Sequence, residues 1–406
     1  MTFRPRSLTG RATAAAAALS ILLTPLLGAP SQAQTTGATK APAHVPALRV
    51  MTRNLYLGTD IMRPIVAVQG KTNQLEILQA LGNATDTARG IVDQTDFRVR
   101  SRLLAGELVA QKPDLVGLQE VALWRHGPME LSLDKLAVPN ATTVDYDFLK
   151  LLLGQLRAQG VRYRAVSVNW LSDVEAPAFS GPLNAMQNPR DVRLTMRDVI
   201  LERVGSDVKI LDHHEKKYAH GLKVTIAGKT MNFQRGYNWV DAQRGTHKFR
   251  FINTHLEAFS SDMAYKQVGE MLHGPGDAKR TTIIVCDCNS DPLNNTVKSA
   301  APVGDTLPHS APYWLITGKN DFNDTWLQWK PGSAGFTSGL GETVDDATPA
   351  GFDHRIDMVF ARTGDGRRLK VVSGTVTGPS LSDRDPATGL WPSDHAGVVM
   401  RLGHLG

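Results

Sequence analysis

The sequence predicts a mixed α/β fold in which helices cover the outer faces of two sheets. Along the first half of the chain, short apolar runs with strand composition alternate with longer helix-like stretches. From residue 199 onward, several strand-like segments follow one another with short turns between them, which favours antiparallel pairing. A chain with both patterns is expected to pack its helices against the outer surfaces of its sheets.

The first 33 residues have the features of a cleaved secretory signal. Arginines precede an apolar run between Ala12 and Leu27, and the small residues Ser31 and Ala33 follow it. The run is shorter than the roughly 20 residues that span a membrane, so cleavage and secretion are expected, with an uncleaved anchor as the alternative. Residues 34–46, rich in Thr, Ala, Pro and Gly, are predicted to form a flexible leader.

Residues 47–406 are expected to form one large domain. This stretch is longer than the usual span of about 100–200 residues per domain, yet no Pro/Ser/Gly-rich linker divides it. Loss of residues 1–33 removes three arginines and no acids, which lowers the formal net charge from +6 to +3. A charge so close to balance permits a polyanionic substrate without requiring one.

The strands and helices are predicted from composition, periodicity and capping residues. Asp96 can cap a helix whose apolar face carries Phe97, Leu104 and Leu108. Prolines and glycines make residues 171–192 a predicted long loop, which in a compact domain is more often functional than idle. Helices are expected at 96–111, 146–159 and 261–273, and strands at 48–53, 115–118, 163–168, 199–203, 208–211, 222–226, 232–241, 248–253, 281–285, 355–360, 369–376 and 398–402.

Cys286 and Cys288, the two cysteines of the chain, flank Asp287 at the end of a predicted strand. On an extended strand their side chains share one face, and their Cα atoms lie near the upper distance limit for a disulfide. A bridge there would be strained, and two thiolates alone rarely hold a metal. Two small, buried, unpaired side chains are therefore expected.

Polar side chains suited to metal and phosphate binding stand at or just past the ends of several predicted strands, where a rigid sheet can direct them into one cleft. The carboxylate of Glu120 and the amide oxygen of Asn54 suit a hard cation. Taken singly, each residue has an ordinary explanation as a helix cap or a turn residue. The whole set is much harder to explain by chance: Asn54, Glu120, His255, Asp287, Asn289, Asp357, Asp394 and His395.

Two histidines in this set have chemistry suited to phosphate esters. His255 follows an apolar run and could donate to a phosphoryl oxygen or transfer a proton. Asp357 could orient the ring of His395 through a charge-assisted hydrogen bond and raise its basicity. A lone histidine is more often a structural residue, so the interpretation depends on the combination.

The chain resembles the endonuclease/exonuclease/phosphatase superfamily over essentially all of residues 47–406. That group includes pancreatic-type deoxyribonucleases, abasic-site endonucleases, neutral sphingomyelinases and inositol-polyphosphate phosphatases. The resemblance implies a catalytic domain with a four-layer sandwich, in which two mixed β-sheets pack face to face with helices outside. It is carried by segments that occur in the family's order, namely Gln119-Glu120, Asn253-Thr254-His255, Asp287-Cys288-Asn289, Arg355-Ile356-Asp357 and Ser393-Asp394-His395.

The resemblance also implies a metal site and a phosphate contact. Asn54, Glu120 and Asp394 would hold one or two divalent cations, either Mg²⁺ or else Mn²⁺ or Ca²⁺. Arg197 matches a position that often contacts a phosphate, and Asn289 would hold the scissile phosphate.

The same resemblance implies the groups that handle protons. Asp287 would orient or deprotonate the attacking water. His395, oriented by Asp357, would act as a general base or as a donor to the phosphate, with His255 facing the phosphate in the transition state.

The expected function is that of a secreted, divalent-metal-dependent phosphodiesterase, with nucleic acid as the favoured substrate. One alternative is a sphingomyelinase-like phospholipid phosphodiesterase, in which Trp170, Phe179, Trp239 and Trp391 could form a membrane-touching rim, although core packing is the commoner role of such residues. A catalytically inert phosphate-binding module is the other alternative. A monomer without a stable protein partner is expected.

Overall fold

The computed structural model describes residues 47–130, 139–226, 229–277, 279–297, 304–365 and 368–403. The predicted signal at 1–33 and the predicted leader at 34–46 lie outside these ranges. Among the helices described, none combines the length and the apolar character that crossing a membrane requires.

The strands and helices follow one another in a mixed order along the chain. The strands are β1 (Leu48–Asn54), β2 (Leu115–Gln119), β3 (Leu123–Gly127), β4 (Thr143–Asp147), β5 (Tyr163–Ser180), β6 (Gln187–Arg203), β7 (Val208–Lys217), β8 (Leu222–Ile226), β9 (Lys229–Phe233), β10 (Gly236–Arg244), β11 (His247–His255), β12 (Thr281–Asp287), β13 (Asn323–Asp324), β14 (Asp357–Arg362), β15 (Val371–Thr377) and β16 (Gly397–Leu402). The helices are α1 (Arg63–Val68), α2 (Gln74–Gln94), α3 (Phe97–Gln111), α4 (Phe148–Ala158), α5 (Ser261–His273), α6 (Ala311–Trp314) and α7 (Thr325–Trp329).

Both large sheets are mixed. The larger one has the order β15-β16-β1-β2-β6-β3-β4, with β5 paired to β6, and the smaller one has the order β13-β14-β12-β11-β10-β7. The pairs β1–β2 and β11–β12 are parallel, and the other pairs are antiparallel. Strands β8 and β9 form a separate hairpin.

The two sheets pack face to face, and helices cover their outer surfaces. Buried apolar side chains from both sheets, such as Val50 and Phe251, form one continuous cluster between them. A second cluster packs α3 and α4 against the larger sheet, and a third packs α5 against the smaller one. This order of helix, sheet, sheet and helix confirms the predicted four-layer sandwich.

Several elements form for the reasons that the sequence gives. The side chain of Asp96 caps α3 by accepting from the backbone N–H of Arg98, and Phe97 stacks on Phe148 of α4 with ring centroids 3.5 Å apart. Helix α5 has the predicted bounds and is capped by Ser260. The long helix α2 is not among the predicted elements, although Asn73 caps it by accepting from two backbone N–H groups.

The predicted loop at 171–192 is wrong, because most of it forms the long antiparallel ribbon of β5 and β6. Pro177 is tolerated there since β5 pairs with β6 alone, and an edge strand does not need every N–H for pairing. Gly181 allows the turn between the strands with a φ of +80°. The predicted strand at 232–241 is also divided, and Gln234 and Arg235 lie in the break between β9 and β10.

The two sheets approach each other closely at Gly117 in β2. A Cβ atom at this position would stand 2.4 Å from Val285 Cγ2 and 2.5 Å from Asn253 Oδ1, both in the opposite sheet. Two residues further on, Gln119 Nε2 donates to Asn253 Oδ1 at 2.7 Å. Glycine at 117 therefore permits a close contact that a buried hydrogen bond between the sheets continues.

The buried guanidinium of Arg100 on α3 connects segments that are far apart in the sequence. It donates to the carbonyl oxygens of Thr95, Leu55, Tyr56 and Pro392 at 2.6 to 3.2 Å. Burial lowers the pKa of Arg100 to about 10. Its hydrogen bonds hold the segment after β1 beside the segment before β16.

Replacing Arg100 by Met should lower the free energy of unfolding by about 3 kcal/mol or more, because each buried carbonyl left without a donor costs about 1–3 kcal/mol. The measurement is urea-induced unfolding. The matched control is Arg98→Met on the same helix, since the Arg98 side chain is 57% exposed and its loss should cost less than about 1 kcal/mol. Equal losses in the two variants would contradict the role of Arg100.

Candidate active site

The ends of several strands meet at one edge of the packed sheets. In parallel pairs, Asn54 of β1 lies opposite Gln119 of β2, and His255 of β11 lies opposite Asp287 of β12. The antiparallel strand β14 begins with Asp357 opposite Asp287. Strand pairing therefore brings together residues from both halves of the chain, as the sequence predicts.

Asp287 lies at the centre of this cluster. Its Oδ2 accepts from Asn54 Nδ2 at 2.8 Å, and its Oδ1 accepts from the backbone N–H of Asn289 at 3.0 Å. The same Oδ2 is 3.3 Å from His255 Nε2 and 3.8 Å from His395 Nε2. Burial raises the pKa of Asp287 above its usual range, although His395 opposes this shift.

Asp357 holds the ring of His395, as predicted, with Oδ2 2.8 Å from Nδ1. Burial alone would lower the pKa of His395, but Asp357, Asp394 and Asp287 outweigh it and raise the pKa well above its usual value. The three carboxylates therefore favour the protonated form of the ring. The guanidinium of Arg53 donates to the carbonyl oxygen of His395 and fixes its backbone.

The pKa of His255 is shifted in the opposite direction. Burial lowers its pKa well below the usual value, and the charges of Arg235 and His395 add to this effect. Arg235 Nη1 lies 2.8 Å from His255 Nδ1, which must accept because the guanidinium only donates. The neutral ring consequently carries its proton on Nε2, which faces Asp287 and lies 4.0 Å from Glu120 Oε1.

Glu120 and Asp394 are a pair of acids that a cation would stabilise. Burial, followed by the charge of Asp394, raises the pKa of Glu120 to about 7. Burial also raises the pKa of Asp394, against the opposing charges of His395 and Arg100. Both side chains are partly buried. Neighbouring carboxylates that resist ionisation are suitable ligands for a hard divalent cation. The residues present thus fit the predicted metal site.

The same cluster contains a second group of possible metal ligands. Asp287, Asp357 and His395 offer ligand atoms that all lie within 4.8 Å of one another and could hold a metal ion. Since His395 Nδ1 already bonds to Asp357, we interpret this group first as a hydrogen-bonded acid–base unit. Asn54 is bound on both sides, because its Oδ1 accepts from the backbone N–H of Tyr56 and its Nδ2 donates to Asp287.

Three residues other than glycine have left-handed backbones around this site: Tyr56, Glu120 and Asn289, with φ values of 58°, 56° and 42°. Each one follows the end of a strand that contributes to the cluster. Such conformations are costly for Tyr and Glu, less so for Asn, and are concentrated at functional sites.

Of the two residues predicted to contact the phosphate, one lines the cavity and the other does not. Asn289 lines the cavity at the cluster, and its Nδ2 donates to the carbonyl oxygen of Leu256. Arg197 does not line this cavity; its guanidinium donates to the carbonyl oxygens of Val121 and Ala122 and to Asp147. Its position therefore does not support the predicted phosphate contact.

Sequence reasoning missed six charged residues that line the cavity: Asp60, Glu175, Asp198, Arg235, Glu257 and Glu342. Among the described residues, no hydrogen-bond partner meets the buried Asp198 Oδ2 or the buried Glu257 Oε2. Asp198 directly follows Arg197 on a strand, so side-chain alternation could have indicated it. Arg235 could not be recognised from the sequence, because it lies in the break between β9 and β10, where one continuous strand is predicted.

The two cysteines form a disulfide, so the expectation of unpaired side chains is wrong. Their Cα atoms are 5.0 Å apart, against about 6.6 Å for residues two positions apart on a regular strand. The difference arises because β12 ends at Asp287 and the chain turns at Asn289. The bridge therefore spans the turn that presents Asp287.

Protein purified in air without reductant should contain no reactive thiol. After unfolding, mass spectrometry should detect no iodoacetamide adduct before reduction and two adducts after reduction, because both sulfur atoms are bound to each other. Two adducts without reduction would show that the bridge does not form.

No protein-family model and no curated protein matches this chain. The structure is similar to an endonuclease/exonuclease/phosphatase family protein from Leptotrichia buccalis, at 15% identity over 88% of this chain and 100% of that chain, with a TM-score of 0.47. It is also similar to an endonuclease/exonuclease/phosphatase from Beutenbergia cavernae, at 19% identity over 89% of this chain and 72% of that chain, with a TM-score of 0.46.

A third similar structure is a mannosyl-6-phosphatase from Bacteroides thetaiotaomicron, at 15% identity over 88% of this chain and 100% of that chain, with a TM-score of 0.45. These are loose likenesses in overall fold. The arrangement of layers and the contacts in the cluster are observed in the structure of this chain and do not depend on these similarities.

Proposed function

We propose that this protein is a divalent-metal-dependent hydrolase of phosphate esters. One observation carries the proposal: carboxylates, an amide and two histidines converge on a single cavity, although they come from distant segments. Hydrolysis of a phosphate ester needs groups that offset negative charge, donate hydrogen bonds and accept a proton. The cluster supplies a candidate for each of these tasks.

Glu120 and Asp394, with Asn54 beside them, would hold the cation. When bound, a divalent cation offsets the negative charge that builds on the phosphoryl oxygens. Arg235 adds a fixed positive charge at the same cavity, because it is held against His255. Arg235 would therefore supply the positive charge at the phosphate that the family resemblance implied for Arg197.

Asp287 would orient the attacking water and take its proton, and the pKa that burial has raised supports this role. His255 Nε2 and His395 Nε2 lie 3.3 and 3.8 Å from Asp287 Oδ2, and both rings would donate to phosphoryl oxygens. The water oxygen bonds to phosphorus, the ester P–O bond breaks, and the leaving oxygen takes a proton from solvent. Of the two roles that the resemblance implies for His395, the site favours the donor.

Secretion is proposed from the signal-like N-terminus. The family resemblance of the motifs, taken alone, favours nucleic acid as the substrate, a preference that the lining of the cavity does not share. The proposed aromatic rim of a lipid phosphodiesterase is only partly compatible with the fold. Phe179 and Trp391 are fully buried, whereas Trp170 is 51% exposed.

The direct test is a substrate panel of DNA, RNA, sphingomyelin and chromogenic phosphate mono- and diesters, assayed with Mg²⁺ or Mn²⁺ and with EDTA. At least one phosphate ester should be cleaved, and EDTA should abolish the cleavage, because the acids of the cluster need a cation to bind an anion. Absence of chelator-sensitive cleavage across the panel would refute the proposal.

Separate replacement of Asp287 by Asn and of His395 by Ala should lower kcat by about 10²–10⁴-fold, because each removes a group that handles protons or developing charge. The measurement is steady-state kinetics on the best substrate of the panel, with thermal unfolding to establish that each variant folds. His354→Ala is the matched control, because that histidine is exposed beside Asp353 and lies outside the cavity. Wild-type turnover in the folded Asp287 and His395 variants would refute the site.

A further inference from the structure

The cavity that contains the cluster extends well beyond it. Its volume is about 570 Å³, which is in the range of pockets that enclose a small organic ligand. One end is formed by charged residues such as Glu120, Asp287 and His395. Away from these residues the lining is predominantly apolar and draws on α1, α2, β5, β6 and β9.

Helix α2 supplies one wall of the apolar part. Ile77, Leu81, Thr85 and Ala88 line the cavity and follow one another at helical spacing, so a single stripe of the helix faces it. Further walls come from the ribbon of β5 and β6 and from the hairpin of β8 and β9. Their apolar lining residues include Val174, Ala176, Val192, Leu194, Met196 and Phe233. Glu175 of β5 also lines the cavity, and its carboxylate accepts from the backbone N–H groups of Asn140 and Ala141.

A buried hydroxyl group also points to a ligand. Thr85 is 7% exposed and lines the apolar part of the cavity. Within the described part of the chain, its Oγ1 has no hydrogen-bond partner. Protein structures rarely leave a buried hydroxyl unbonded, so a bound molecule with a polar atom at this depth would satisfy it.

The apolar walls decide between the substrate classes. A nucleic-acid strand carries a charged phosphate at every nucleotide, and a charge enclosed by aliphatic side chains without a partner is strongly unfavourable. Binding of a hydrocarbon chain in the same place is favourable, because its apolar surface leaves water and contacts apolar side chains. The aliphatic lining adjoins the proposed catalytic residues, so a chain attached to the scissile phosphate can enter it.

We propose that this cavity binds the aliphatic chain of a lipid-like phosphate ester while the phosphate lies at Asp287 and the histidines. The inference rests on the proposed function and names its substrate class. Thr85 Oγ1 would donate to a carbonyl or hydroxyl oxygen within the chain. The enclosed apolar pocket, rather than an aromatic rim on the surface, then selects the substrate.

The test is a series of alkyl 4-nitrophenyl phosphate diesters, from methyl to octyl, hydrolysed by the wild-type protein below micellar concentrations. Because each methylene leaves water for an apolar site, kcat/KM should rise about fourfold per added methylene until the cavity is filled. A rate independent of chain length, or faster cleavage of an oligonucleotide than of the octyl ester, would overturn the inference. Release of nitrophenolate from no member would instead count against the proposed function.

Filling the cavity gives a second test. Ala176→Phe on β5 should flatten the dependence of kcat/KM on chain length, because the new ring occupies the space of the alkyl group. The matched control is Ala110→Phe at an exposed position of α3, which should keep the wild-type dependence. A folded Ala176→Phe protein with the wild-type dependence would overturn the inference, and the wild-type series decides the matter if this variant does not fold.

Discussion

The close packing of the two sheets beside Gly117 is the constraint on which the rest of the structure depends. Glycine leaves room for Val285 and Asn253, so the two sheets can approach each other closely next to the edge where their strands end. Strand register then determines which side chains reach that edge, since a slip by one residue would turn every side chain to the other face. Asp287 can therefore contact partners from β1, β11 and the segment before β16 at the same time.

The electrostatics of the site follow from this convergence. One buried acid and two partly buried acids lie close together, and loss of contact with water raises the pKa of Asp287, Glu120 and Asp394. The two histidines differ because His395 faces three carboxylates, whereas His255 is bound by the guanidinium of Arg235. An arrangement of this kind is poorly stabilised by the protein alone. It gains favourable interactions when a divalent cation and a phosphate bind, which is the basis of the proposed function.

Much of the fold and the main cluster could be predicted from the sequence, because both depend on local patterns. Apolar runs ending in polar residues mark β1, β2 and β12, and the family-like order of motifs implies the four layers. Other features depend on tertiary contacts. The prolines of the β5–β6 ribbon predict a loop, because the sequence does not show that β5 is an edge strand. The disulfide depends on the turn at Asn289. Arg235 joins the site only because the chain breaks between β9 and β10.

Binding of Mn²⁺ in the absence of substrate, measured by titration calorimetry, tests the central claim most directly. Glu120 and Asp394 are far apart in sequence but are proposed to share one cation. Glu120→Gln and Asp394→Asn should each weaken binding at least about tenfold, and the double variant should lose little more than either single one, since residues that share a site are not additive. The exposed Glu76→Gln should bind as the wild type does. Undiminished affinity in both single variants would contradict the account.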